Sequence, residues 1–169
     1  TSPAYLAWLE ELRHKGPEPR LAGNRQRITL GPDSYLELIW PQSPLSGQLV
    51  DNLNNSSIAL RLVHGENVFL LTGDIEKEVE EELVSQGADL KARVLKVGHH
   101  GSDTSSSQDF LDAVRPDFAV ISVGSGNSFK LPSLRIIRRL QRRDIRVLRT
   151  DNYGTISFFS NGRDLRLEP

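Results

Sequence analysis

No cysteine occurs anywhere in the chain, so neither a disulfide framework nor a thiolate metal site is available to it. The redox compartment stays open, because a cysteine-free chain suits either side of a membrane. Methionine is absent as well, so Thr1 is no translational start and the chain is expected to be a processed or excised piece. No apolar run approaches the roughly 20 residues that a membrane-spanning helix needs. No secretory signal pattern opens the sequence, and a soluble piece is expected. Internal repeats and low-complexity tracts are missing too, and 21 basic residues nearly balance 22 acidic ones. What remains is ordinary for a globular chain: 169 residues, 37% hydrophobic and 25% charged, enough for one buried core.

Tyr5, Leu6, Trp8, Leu9 and Leu12 recur at helical spacing over Pro3 to Lys15, and Gly16-Pro17 ends that helix. Arg27 to Leu30 and Tyr35 to Trp40 read as a hairpin turning at Gly31-Pro32-Asp33. Residues 41 to 56 are a polar loop, followed by strands Ile58 to Val63 and Val68 to Thr72. Beyond this the pattern alternates. Helix Glu76 to Ser85 precedes strand Arg93 to Val97, and helix Ser107 to Val114 precedes strand Phe118 to Val123. Helix Leu134 to Arg142 precedes strand Val147 to Arg149, and Thr155 to Phe159 and Leu165 to Leu167 close the chain. Strands alternating with helices pair in parallel, whereas the upstream hairpins are antiparallel. The expectation is an α/β fold with an α+β part, a mixed sheet flanked by helices.

Right-handed crossovers bring the C-terminal ends of successive parallel strands to one rim of the sheet, where such folds bind ligands. Four strand ends there carry Thr72-Gly73-Asp74, Gly98-His99-His100-Gly101-Ser102, the small polar loop Ser122 to Ser128, and Arg149 to Asn152. Asp74 reads either as an N-cap of the following helix, the commoner role for such a residue taken alone, or as a metal ligand. Two of the four histidines stand side by side between glycines at this rim, which shifts the reading towards a metal or catalytic site. Carboxylate oxygen with neutral imidazole suits Zn²⁺ or Mn²⁺. His14 and His64 lack partner spacing and read as surface residues.

Phe69-Leu-Leu-Thr-Gly-Asp-Ile75, then Leu95-Lys-Val-Gly-His-His-Gly-Ser102 with Thr104-Ser-Ser106, resembles the second half of the metallo-β-lactamase-like domain of the ComEC family of bacterial competence channel proteins. Asn52-Leu-Asn-Asn-Ser-Ser57, Ala119-Val-Ile-Ser-Val-Gly124 and Arg149-Thr-Asp151 with Gly154 add to the likeness, which is best from about Asp51 to Phe159. The resemblance implies an αββα sandwich, with residues 1–169 as its C-terminal portion, and a hydrolase site holding one or two divalent ions. Asp74 would bind or bridge metal. One histidine of the pair would be a further ligand, His100 before His99, and its neighbour would orient or protonate the substrate. Lys96, Ser102, Thr104 and Ser105 would lie nearby as phosphate contacts. The implied partners are DNA, an upstream half of the same domain and the rest of a membrane channel protein. The implied location is the extracytoplasmic side of a bacterial cell membrane.

The sequence departs from the family pattern in three places. The His-x-His/Asp-x-Asp-His segment that supplies most metal ligands would lie upstream of Thr1. Asn52 to Ser57 stands where many relatives carry a further histidine, and Phe129-Lys130-Leu131-Pro132 replaces a common Gly-His-Pro. Mn²⁺ or Zn²⁺ binding by this piece alone should therefore be weak or absent. The implied chemistry is metal-assisted phosphodiester hydrolysis, a nuclease reaction during DNA uptake, with a neighbouring histidine or Asp151 handling a proton. Asp151 reads equally as a turn residue before Gly154. Other readings are a phosphocholine esterase-like hydrolase and a non-catalytic module that guides DNA. Arg135, Arg138, Arg139, Arg142 and Arg143 form a basic stripe at helical spacing, with Leu134, Ile137 and Leu140 as the buried face. Such a stripe can track phosphates, and a solvated helix face is the plainer alternative. The acidic run Glu76 to Glu82 reads as structural, favouring the dipole at a helix start.

Overall fold

The computed structural model describes all residues except 1, 17, 24 and 169. The first helix, α1 (Pro3–Lys15), forms as its apolar spacing predicts. Ser2 caps it, and Gly16, left-handed at φ 79°, stops it by donating its N–H to the Leu12 carbonyl. The Pro17 part of that stop signal lies outside the described residues.

Seven strands then lie side by side in chain order: β1 (Arg27–Gly31), β2 (Ser34–Trp40), β3 (Ala59–His64), β4 (Asn67–Leu71), β5 (Val94–Lys96), β6 (Phe118–Ile121) and β7 (Arg146–Arg149). Pairing is antiparallel from β1 to β4 and parallel from β4 to β7. Helices α2 (Lys77–Ser85), α3 (Gln108–Val114) and α4 (Leu134–Gln141) supply the crossovers. The expected mixed sheet flanked by helices is present.

Alternation along each strand divides the sheet into two faces. Leu70, Leu95 and Ala119 are in register across β4, β5 and β6. They share one core with Val79 and Leu83 of α2, Phe110, Leu111 and Val114 of α3, and Ile136 and Leu140 of α4. Burying each such Leu, Ile, Val or Phe contributes about 1.5–3 kcal/mol. The opposite face carries Phe69, Val94 and Phe118 in register. There Phe158 packs edge-on against Phe69 and Phe118, with ring centroids 6.0 and 5.3 Å away. Leu60, Leu62, Leu71 and Val120 on this face are only half-buried.

Several local expectations need correction. The closing segments β8 (Ser157–Ser160) and β9 (Leu165–Glu168) pair with each other as a separate antiparallel ribbon. A short helix, α5 (Thr150–Tyr153), follows β7, and the polar loop before β3 contains a 3-10 turn at Leu53–Ser56. The buried residues of α4 are Ile136 and Leu140, whereas Leu134 is 68% exposed. Leu134 is the first residue of the helix, and Ile136 with Leu140 is the i, i+4 pair that faces the sheet. The apolar face of α1 stays in solvent, with Tyr5 47% and Trp8 55% exposed.

Candidate functional site

The rim predicted from the crossovers is present. Asp74 follows β4, the histidine pair follows β5, Ser122 follows β6 and Asp151 follows β7. The first loop is tied down before it reaches Asp74. The Thr72 hydroxyl, buried, donates to the Lys96 carbonyl at 2.8 Å. Gly73 is left-handed at φ +57°, and a Cβ there would sit 2.8 Å from the Ser57 Cβ. The Asp74 N–H donates to Ser57 Oγ at 3.0 Å, which leaves the carboxylate to project outward. Asp74 is not a helix cap: the cap position of α2 falls to Glu76, whose side chain makes no capping bond.

The second loop is a tight turn built from two consecutive left-handed residues, His99 (φ 45°, ψ 45°) and His100 (φ 54°, ψ 24°). Non-glycine residues in this region cost about 1–2 kcal/mol each, and such strain collects at functional sites. The turn is held by the His99 N–H on the Gly73 carbonyl at 3.2 Å and the Ser102 N–H on the His99 carbonyl at 2.9 Å.

Each imidazole has one committed nitrogen. His100 Nδ1 lies 2.7 Å from the Ser122 carbonyl, which only accepts, so Nδ1 carries a proton and Nε2 is the ring nitrogen that faces the rim. That Nε2 is 3.6 Å from Asp74 Oδ1, with both side chains partly exposed to solvent. His99 Nδ1 lies 3.0 Å from Glu76 Oε1 and 3.3 Å from Thr104 Oγ1. Glu76 is nearly enclosed and accepts from Asn52 Nδ2 and Asn54 Nδ2, each at 2.9 Å. Burial alone would raise its pKa, but bonds from Asn54, Asn52 and Thr104 and the nearby His99 hold it below the ordinary carboxylate value. Sequence reasoning missed this residue and treated it as a helix-dipole acid. The one signal was a glutamate at a cap position that favours Ser, Thr, Asp or Asn.

The remaining candidates divide. Lys96 ends β5 on the half-covered face, in register with Leu71 and Val120. Burial lowers its pKa, opposed by the charge of Asp74. Ser102 and Thr104 join hydroxyls at 3.0 Å beside His99. Ser105 does not meet its expectation as a phosphate contact: it is 1% exposed, and its hydroxyl donates to the Gly98 and Ser102 carbonyls. Arg139 is likewise a strut, donating to the Ser105 and Ser106 carbonyls. Glu80, 1% exposed, accepts the Ser106 and Ser107 N–H groups from the other side. Arg143 bonds Asp112 of α3, so the exposed part of the basic stripe is Arg135, Arg138 and Arg142. Asp151 is paired with Arg149, whose bond pulls its pKa down. His14 pairs with Glu10 on α1, and His64 lies at the β3–β4 turn, at the opposite end of β4 from the rim.

Among the described residues, no three His, Asp or Glu side chains are gathered to hold one ion. Asp74 Oδ1 and His100 Nε2 are a converging pair of the right chemistry, with the second imidazole nitrogen pinned as metal-binding histidines usually have it. They fit part of a Zn²⁺ or Mn²⁺ shell, which needs four or more donors.

A carboxylate and an imidazole at the parallel rim of a helix-flanked mixed sheet mark a class, and the sequence profile of the Metallo-beta-lactamase superfamily matches residues 42–125. Residues 42–125 thus carry the sequence signature of that superfamily. The chain is 46% identical over 105 residues to ComE operon protein 3 of Bacillus subtilis (strain 168), covering 62% of this chain and 14% of the relative. It is 44% identical over 106 residues to Competence protein ComA of Neisseria gonorrhoeae, covering 62% of this chain and 15% of the relative. Recombination protein 2 of Haemophilus influenzae is 37% identical over 115 residues, covering 67% and 14% respectively. The chain therefore spans about a seventh of the length of these relatives.

Proposed function

We propose that the chain is the C-terminal portion of a metal-dependent phosphodiesterase domain that cuts DNA during uptake by a competence channel. The observation that carries the reading is the approach of Asp74 Oδ1 to His100 Nε2 at 3.6 Å, with His100 Nδ1 held by the Ser122 carbonyl. The names of two relatives, ComE operon protein 3 and Competence protein ComA, support the setting.

Asp74 and His100 would hold a divalent ion together with donors from outside residues 1–169. When bound, that ion supplies Lewis acidity and an acidified water. The chain's own side chains do the rest. Lys96, a cation at the rim, draws in the phosphodiester, and Ser102 and Thr104 donate hydroxyl bonds to its oxygens. His99 moves a proton at Nε2. Arg135, Arg138 and Arg142 extend a cationic track for the backbone. An upstream half of the same domain covers the half-buried sheet face and the apolar side of α1. Among the described residues no helix is long and apolar enough to cross a membrane. In this reading the membrane part belongs to the rest of the channel protein. We place the domain on the extracytoplasmic side, where incoming duplex is met.

The test is a manganese-dependent nuclease assay on the complete domain, comparing wild type with Asp74→Ala and His100→Ala. Both variants are expected to fall to background. Full activity in either one rejects the site.

A further inference from the structure

We propose that Phe129 is a stacking platform for one unpaired nucleobase of the strand that passes the rim. That the ligand is DNA rests on the phosphodiesterase reading; the exposed ring and its setting do not.

Residues 122–133 run as a strap from the end of β6 to the cap of α4, and both ends are fastened to the histidine turn. At one end the Ser122 carbonyl lies 2.7 Å from His100 Nδ1. At the other the Ser133 N–H donates to the Gly101 carbonyl at 2.9 Å, and the buried Pro132 packs beside Gly101. The Thr150 hydroxyl of α5 accepts the Val123 N–H at 2.7 Å and donates to the Val123 carbonyl at 2.8 Å. Asn127 closes the tip. Its Nδ2 donates to the Gly124 and Leu131 carbonyls at 3.1 and 2.7 Å, and its Oδ1 accepts the Leu131 N–H at 3.0 Å. Phe129 stands inside that closed tip, on backbone that is already ordered.

Its side chain is 81% exposed, more than any other aromatic among the described residues. None of them stacks a ring or a guanidinium on it. A single apolar side chain on a surface is common and by itself carries no function. The company of the ring decides here. From 122 to 143 the chain holds six cations, Lys130 and five arginines, and neither Asp nor Glu. Ser128 and Lys130 on either side of the ring are exposed, as is Arg135 at the start of α4. An apolar protein partner would have to desolvate these groups without pairing them, a cost that one phenyl ring does not offset. A nucleotide avoids that cost. Its base offers a π-face to the ring while its phosphate stays with the cations, the combination that single-strand-binding surfaces use. Because the strap is fixed beforehand, little freedom is lost on binding. Bases inside a duplex are already stacked on their neighbours, so the ring takes a base from a single strand or a frayed end.

The experiment measures binding of oligothymidylate, and of a fully abasic strand of equal length, to the complete domain with divalent ions chelated. Wild type should prefer oligothymidylate. Phe129→Ala should cut that preference about tenfold, through weaker oligothymidylate binding alone, and Phe129→Trp should retain it. The log-log salt slope should stay the same in Phe129→Ala, whereas Lys130→Ala should lower it by about 1. The proposal is overturned by an unchanged preference in Phe129→Ala or by an equal loss on both strands. It is also overturned if Phe129→Ala lowers the urea midpoint of the complete domain, since another part of the domain then covers the ring. A domain that shows the expected preference yet cuts nothing with Mn²⁺ would sink the proposed function and leave this inference standing. A nuclease indifferent to Phe129 would do the reverse.

Discussion

Replacing Gly101 with alanine tests whether the histidine turn is held by its surroundings. Gly101 is left-handed at φ +81°, and an added Cβ would lie 2.6 Å from the Pro132 Cβ and 3.4 Å from Ile121 Cγ2. The backbone conformation costs about 1–2 kcal/mol for a non-glycine residue. Forcing a methyl against a packed proline costs about 1–3 kcal/mol more. Alanine recovers about 0.4–1 kcal/mol by restricting the unfolded chain. The net is a loss of about 3 kcal/mol. With a urea slope of about 2 kcal/mol/M, the midpoint should fall by about 1.5 M. Gly87→Ala is the internal control: it is left-handed at φ +65° with nothing within 4 Å of the added Cβ, so only the backbone cost applies. Its loss should stay near 1 kcal/mol. Equal losses in the two variants, or none at Gly101, would refute the claim that Pro132 braces the turn.

Two further outcomes follow from the struts around the site. Burial raises the pKa of Glu80, against the opposing bonds from Ser107 and Ser106 and the charge of Arg139. A raised folded pKa means the folded state binds this proton more tightly, so its contribution is full below the unfolded value of about 4.3 and is lost as pH rises through the folded value. Urea titrations from neutral to acidic pH should therefore show wild type gaining stability relative to Glu80→Gln on acidification, and a flat or opposite trend would count against it. For DNA binding, Arg135→Ala, Arg138→Ala and Arg142→Ala should each reduce the log-log salt slope by about 1 in the complete domain. Arg143→Ala, already bonded to Asp112, should leave that slope unchanged.

Much of this was legible in the sequence, and what was not has physical reasons. Strand-helix alternation from Val68 onwards gave parallel pairing, and the handedness of crossovers then placed Asp74 and the histidines at one rim. The phase of α4 was misjudged because i+3 and i+4 neighbours overlap on a helix face, so Leu134 and Ile136 compete for the inward position. The closing strands were legible, but not that they pair as a separate ribbon, because short strands carry no mark of which sheet they join. Ser105 and Arg139 look like phosphate contacts until the backbone carbonyls that take their hydrogens are seen. Glu76 was invisible for a similar reason. Its partners Asn52 and Asn54 lie 24 and 22 residues away in the chain, and nothing local announces them.

The central claim is that Asp74 and His100 share one ion. Sub-stoichiometric Mn²⁺ added to the ¹⁵N-labelled chain broadens the amide signals nearest the ion, and this works even when binding is weak. The account predicts that residues 73–75 and 99–101 broaden first, and that Asp74→Ala and His100→Ala each abolish the effect. Broadening centred on the acidic turns of α2 or at His14, or broadening of the rim that survives both substitutions, would contradict it.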